Sequence, residues 1–499
     1  MDVLEEKNGR AQLEVLHRQL PLEVSAEFTL PDYRSEISRL LWVRPTVLPP
    51  EPLLGGGKAD FSGCVRFCAL YAGPDGALYA AEEEEGYTFS LPVEGLGADE
   101  LSFATEVVAD GITCRVAGPR KLSVRCRMHA AVRGYADKRL CMPEQAEGVC
   151  RLCELQDCAR VFPGGRESIS FTDTVEAEGE VRVISVRGTA FLPEVEPAHD
   201  EIRCRGELHL VLLLCREGEN AQKIYTVTRH LPFEGCVPAF GITPDCRARA
   251  LATLGEISAT VEAGHILLDG TLTLSAEGAT EEPVLLCRDA FLPGSHAEYH
   301  FCEETLHRVT ACQNRHFSVG GTCPMAQSKL PPEAEILDHV ADAEVKERAC
   351  DGNKLILNGT LCLHVLYQNA GELGICDMSL PWHAVCEGSE RAELTVSVAT
   401  CRLTRTEDCL RADAELQLSL LDLSPLAVRV LTQAKFTPVA CDMTPNDPEV
   451  YFPAERETLW DVAKRYARTP EALAIANALT PSTPNAPDSL GGKRFLLIP

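Results

Sequence analysis

Basic residues are in short supply. The chain of 499 residues carries 47 Lys and Arg against 74 Asp and Glu, a net charge of −27. A protein that grips nucleic acid by its phosphates needs clustered Lys and Arg, so no nucleic-acid partner is expected. The balance suits a chain that meets a basic partner. Long apolar runs are missing as well. The most apolar short stretch, LHLVLLLC at 208–215, is far too short to cross a bilayer, so no transmembrane segment is expected. The opening MDVLEEKNGRAQLEVL has early acids and no apolar core, and no signal peptide is expected there. These readings point to the cytoplasm, or to a surface assembled from its cytoplasmic side.

Enzyme signatures are absent too. No HExxH or GxSxG occurs. GGGK at 55–58 lacks the spacing of a phosphate loop and runs into Ala59. The 13 His are scattered, and His209 and His364 alternate with apolar residues, as on the polar face of a sheet. No catalytic residue, cofactor or metal is expected, and the chain reads as a non-enzyme.

The 23 Cys are many but thinly spread, unlike the dense framework of a small secreted domain. Cys64, Cys68, Cys215 and Cys362 sit in strand patterns, where a thiol acts as a small apolar residue. Reduced thiols are the reading taken; cross-linking after assembly is the alternative. Cys150, Cys153 and Cys158, with Cys141, are the best candidate for a structural zinc site, set against unpaired thiols in a linker at 142–158.

What the chain has is a repeat. GCVRFCALY at 63–71 returns as GELHLVLLL at 206–214 and GTLCLHVLY at 359–367. Each opens on Gly (Gly63, Gly206, Gly359), and apolar residues then fall on every second position. Examples are Leu208, Leu210, Leu212 and Leu214, or Val65, Phe67, Ala69 and Tyr71. Period two is the strand period with one face buried. A turn-rich tip and a second strand ending in Leu-Pro follow: Leu91-Pro92, Leu231-Pro232, Leu380-Pro381. The run Glu82–Glu85 is placed in the first tip as a solvated turn. The glycines lie 143 and 153 residues apart, too far for a solenoid unit, so each copy needs its own core.

The fold class expected is mainly β. Three β-rich repeats cover 1–140, 141–290 and 291–440, each with roughly eight to ten short strands by the spacing of turn signals. A linker at 441–449 leads to a small β-α-α-β domain at 450–499. There Leu459, Val462, Ala463 and Tyr466 share one helix face, and Thr469-Pro470 opens a second helix.

That tail, YFPAERETLWDVAKRYARTPEALAIANAL…GGKRFLLIP, resembles a LysM domain. Thr458-Leu459-Trp460 opens the first helix and Asn477 ends the second. The resemblance implies binding of N-acetylglucosamine polymers such as peptidoglycan, in a groove between the first strand–helix loop and the last helix–strand loop. Three repeats of this length with one such tail resemble the SPOCS-domain proteins of anaerobic spore-formers. That likeness implies a scaffold bringing the spore coat to the forespore surface in the mother cell, with the tail holding the SpoIVA-like coat morphogenesis ATPase.

Arg456, Glu457, Thr458, Leu459, Trp460 and Asn477 are therefore the expected partner- or glycan-binding residues. Arg456 and Glu457 stand where such domains carry Gly and Asp, and Gly is what lets a backbone approach a sugar. The tail is thus expected to prefer a protein over glycan. Two readings of Leu459 and Trp460 stay open: contact residues, or core, in which case Arg456 and the 480–492 loop would carry the contact.

Overall fold

The computed structural model describes residues 10–95, 101–140, 142–143, 146–177, 179–216, 223–438, 449–479, 490 and 493–499. The linker at 441–448, Cys141, most of the 480–492 loop and the tip at 217–222 lie outside these. The chain is mainly β, in several separate sheets.

Residues 10–139 form β1 (Arg10–Thr29), β2 (Arg39–Val47), β3 (Glu51–Gly55), β4 (Lys58–Ala72), β5 (Leu78–Pro92), β6 (Ser102–Gly118) and β7 (Lys121–Arg139). Two antiparallel sheets result: β1-β7-β6, and β4 flanked by β2 and β3 on one edge and β5 on the other. The two strands sharing an edge are separated by Leu48-Pro49-Pro50, where proline removes ladder donors.

Residues 150–291 form β8 (Cys150–Glu176), β9 (Val181–Pro197), β10 (Glu201–Arg216), β11 (Lys223–Pro238), β12 (Arg247–Glu262) and β13 (His265–Phe291). Their sheets are β12-β13-β8 and β11-β10-β9. Residues 295–438 form β14 (Ser295–Pro324), the one-turn helix α1 (Met325–Ser328), β15 (Glu335–Asp351), β16 (Lys354–Asn369), β17 (Glu372–Glu387), β18 (Glu393–Arg405) and β19 (Cys409–Pro438). Their sheets are β14-β19-β18 and β15-β16-β17. In all three segments the opening strand pairs with the closing strand. The middle strands form a meander in the second and third, and in the first β3-β4-β5 do so, with β2 beside β3 on β4.

Each pair of sheets closes over its own core. Val65, Phe67 and Tyr71 meet Phe28, Val124 and Met128 in one. Leu208, Leu210 and Leu212 meet Ile266 and Leu272 in the second. Leu361, Leu363 and Val365 meet Leu416 and Leu418 in the third. The alternating side chains of 63–71, 206–214 and 359–367 thus face inward from the middle strands β4, β10 and β16.

The opposite faces of these strands are used where the segments meet. Leu70, Leu213 and Leu366, at matching places in the three stretches, bury together with Leu78, Ile224 and Leu373. A second junction gathers Ala11, Leu13, Val284, Leu286, Leu306 and Val430, again from all three.

Three expectations are corrected. The strand count is six in the second and third segments and seven in the first, among the described residues, not eight to ten. Strands run through places that read as turns. Phe162-Pro163-Gly164-Gly165 lies inside β8, where the pairing skips from Ser275/Arg166 to Glu277/Pro163. A Cβ on Gly164 would meet the carbonyl of Ala276, so the glycine marks a bulge and not a strand end. Glu82–Glu85 is not in a tip either. It lies in β5, paired residue by residue with Cys68 to Val65. Lastly, Leu-Pro ends the second strand only in the first segment, where β5 stops at Pro92; β11 runs on past Pro232 to Pro238 and β17 past Pro381 to Glu387. Pro232 and Pro381 pair next to the repeat glycine, with Glu207 and Thr360, whereas Pro92 pairs with Lys58.

Candidate functional site

The C-terminal segment forms β20 (Glu449–Tyr451), α2 (Leu459–Arg465), α3 (Pro470–Ala476) and β21 (Leu496–Ile498), with β20 and β21 antiparallel. Thr458 caps α2. Its hydroxyl accepts from Asp461 N at 3.3 Å while the Asp461 carboxylate accepts from Thr458 N at 2.9 Å, a capping box. Thr469 caps α3, with Pro470 at the first turn. Asn477 donates to the carbonyls of Leu473 at 2.9 Å and Leu497 at 2.7 Å, and accepts from Leu497 N at 2.7 Å. It therefore ties the end of α3 to β21.

Trp460 does not face solvent. It is 3% exposed, and its Nε1 donates to Asp289 Oδ2 at 2.9 Å. One turn on, Lys464 Nζ reaches both Asp289 oxygens, at 2.8 and 2.7 Å. The indole stands edge-on to Phe291 with centroids 4.9 Å apart, and the Lys464 ammonium lies 5.0 Å from the Tyr299 ring centroid. Burial works against the Lys464 charge, but its bonds to Asp289 outweigh that and raise its pKa. Leu152 and Phe291 join Leu459, Trp460 and Val462 in one apolar cluster. The tail is thus docked on the β8–β13 end of the second segment.

Of the six expected contact residues, Thr458, Leu459, Trp460 and Asn477 are buried. The core reading of Leu459 and Trp460 is the one that their burial matches. Glu457 is half-buried, holding Tyr451 OH at 2.7 Å, Ala454 N at 2.9 Å and Arg465 Nη2 at 2.7 Å. Only Arg456 is exposed. It sits at φ 69°, the left-handed region where glycine is favoured.

A different surface faces out. Val450 and Leu497 are cross-strand partners on the outer face of β20–β21, and Phe452 and Phe495 extend it, with ring centroids 6.3 Å apart. Phe452 is 70% exposed and Phe495 51%. Exposed Lys493 and Arg494 adjoin them in sequence. The signal for this patch was in the sequence. Both V-Y-F at 450–452 and F-L-L-I at 495–498 are apolar on both faces of a strand, and only one face can be core.

Between the three segments lies a cavity of about 1210 Å3, lined among others by Arg44, Glu106, Arg166, His364 and Glu393. Ion pairs cross its wall. Arg133 Nε of β7 stands 2.5 Å from Glu393 Oε1 of β18, and Arg249 Nη2 of β12 stands 3.6 Å from Glu393 Oε2 and pairs with Glu277. Burial pushes the Glu393 carboxyl up, against the pull of the two guanidinium groups. Nearby, Arg187 of β9 makes a two-pronged pair with Asp338 of β15 at 2.5 and 2.6 Å. These contacts join segments.

The cysteine set expected as a zinc candidate is not in a linker. Cys150, Cys153 and Cys158 lie along β8, with Cys158 buried at a junction between segments and Cys153 directly opposite Cys287. They do not converge. Among the described residues no helix is long and apolar enough to cross a membrane. No family model, no curated protein and no solved structure matches the chain.

Proposed function

We propose that the chain is a non-catalytic scaffold of spore-envelope assembly, made of three copies of one β unit and a LysM-like module. In this reading it works in the mother-cell cytoplasm, at the forespore surface. It recruits or tethers coat basement-layer proteins, foremost a SpoIVA-like ATPase. The threefold reading rests on the shared strand order, the three inward-facing stretches and the meeting of Leu70, Leu213 and Leu366. The LysM-like reading rests on the strand–helix–helix–strand order and the capped helices.

The observation that carries the scaffold reading is the face of Val450, Phe452, Phe495 and Leu497. It is apolar and exposed, on a module whose opposite side is fastened to the second unit through Trp460 and Asp289. Aromatic anchors at the centre of a patch with basic neighbours are the residue types that dominate protein interfaces. The rival reading is a cell-wall glycan-binding protein. It is favoured by the turn at Arg456, which keeps the glycine-like conformation, and by two exposed rings.

Pull-down with the full chain and with a Phe452→Ser/Phe495→Ser variant separates the two. The scaffold reading expects capture of the ATPase by the wild type, lost in the variant. Binding to insoluble peptidoglycan that chitooligosaccharides compete, with no capture of the ATPase, would install the glycan reading instead.

A further inference from the structure

The outer face of β10–β11 gathers three metal-ligating side chains away from both the core and the C-terminal patch. Glu207 and His209 are two residues apart on β10 and so point to the same side. His230 lies directly across the ladder from His209, and the two imidazoles are 4.4 Å apart between centroids. The Glu207 Oε2 atom sits between them, 2.7 Å from His209 Nε2 and 3.4 Å from His230 Nδ1. The three ligand atoms lie within 4.8 Å of one another, and this is the one such group of three among the described residues.

We infer that Glu207, His209 and His230 form a binding site for a divalent ion of the zinc class. Two imidazoles and a carboxylate are the donor set that suits Zn2+ and its borderline neighbours, and three protein ligands leave a position for water. Around a tetrahedral zinc the ligand atoms stand about 3.3–3.4 Å apart, given metal–ligand bonds of about 2.0–2.1 Å. The 3.4 Å separation already matches, and the 2.7 Å one has to open by less than an ångström. The ladder fixes two of the three positions. His209 is 9% exposed, whereas His230 and Glu207 are open enough to admit an ion. Phe191, paired with Glu207 on β9, lines one side, with its ring centroid 6.4 Å from that of His209. Its apolar surface limits water on that flank. The equivalent face is not a ligand set in the other units. Arg66 and Cys362 take the place of His209 there, so the site belongs to the second unit alone.

The test is titration of the purified full chain with Co2+, followed by absorption. Cobalt reports its donors: nitrogen and oxygen ligands give only ligand-field bands, whereas thiolates add an intense charge-transfer band. This matters in a chain with 23 Cys. The variants are His230→Ala and Glu207→Gln, both at half-exposed side chains, which spares the buried His209. The expected result is one tightly held Co2+ without the thiolate band, displaced by Zn2+, with affinity reduced at least about tenfold in each variant. No Co2+ uptake at micromolar concentration, uptake marked by the thiolate band alone, or uptake that both variants leave unchanged would each overturn the site.

Discussion

Gly359 lies directly across the ladder from Trp382, and the indole fills the space that a Cβ on Gly359 would need. The same pairing recurs with Gly206 and Phe233, and with Gly63 and Tyr87. An aromatic ring laid over a strand glycine restores the packing that glycine lacks, and it pins register. The glycine that opens each stretch is therefore half of a cross-strand unit.

A double-mutant cycle on the first pair tests this. A Cβ on Gly63 would come within 2.5 to 3.0 Å of the Tyr87 ring and hydroxyl, and that ring is held by its hydroxyl donating to Leu48 O at 2.8 Å. Gly63→Ala is expected to cost about 1–3 kcal/mol through overpacking. In a Tyr87→Ala background the same change should cost at least about 1 kcal/mol less, since the ring is gone. Gly359→Ala should not be rescued by Trp382→Ala, because the carbonyl of Glu344 also stands against that Cβ. Thermal melts of the four first-segment proteins give the coupling; simple additivity would refute it.

Part of this was legible in the sequence. Period-two alternation from Val65 to Tyr71 needs no partner to be read, because one strand carries it whole. The aromatic opposite each glycine was not, since antiparallel partners are set by the length of the hairpin between them. Tyr87, Phe233 and Trp382 come at different distances from their glycines. Leu-Pro looked like the common marker, yet in the first unit it slides to Lys58. Long strands were missed for a related reason: Gly164-Gly165 has the composition of a turn, and only the bulge against Ala276 shows otherwise. In the tail the helix caps and the strand–helix–helix–strand order were readable locally. What Trp460 touches was not, because Asp289 lies 171 residues away.

Arg456 holds a left-handed turn at φ 69° with an L side chain. Its exposure means that its side chain returns little packing for that strain. Arg456→Gly is expected to stabilise the tail by about 0.5–1 kcal/mol, the relief of the left-handed conformation less the extra freedom of glycine when unfolded. Hydrogen exchange of α2 and α3 would show slower opening; faster opening would mean that the Arg456 side chain makes a contact worth more than its backbone costs.

His316 of β14 packs its ring 4.7 Å from that of Phe191, and burial depresses its pKa. The folded protein therefore keeps this imidazole neutral where the unfolded chain, with a pKa of about 6.5, takes up a proton. Below that pH the unfolded state binds more protons, so stability falls as pH drops from about 6.5 towards the folded pKa. His307 is shifted the same way by burial. His316→Leu should flatten the fall in melting temperature between neutral pH and mildly acidic pH. An unchanged slope would show that His316 does not contribute to it.

Asp289 is the hinge pin of the tail. Its carboxylate accepts from the Trp460 indole and from the Lys464 ammonium, both on α2, and no other carboxylate does so for them among the described residues. Asp289→Ala leaves the buried Trp460 N–H without its acceptor, a loss of about 1–3 kcal/mol, and takes away the partner of the Lys464 ammonium, which is 37% exposed and returns partly to water. The apolar contact between Trp460 and Phe291 remains but has no polar group to orient it. The expected outcome is a module that undocks without unfolding. Hydrogen exchange should speed up at Trp460 and its neighbours on α2, while the strands of the second unit far from Phe291 keep their protection. Trp460→Phe tests the other half of the bond: it keeps the edge contact with Phe291 and loses the donor, so it should undock the tail less than Asp289→Ala, which also strands Lys464. If the two variants behave alike, Lys464 contributes nothing to the dock. If neither alters exchange in α2, the apolar cluster around Leu152 and Phe291 holds the tail on its own.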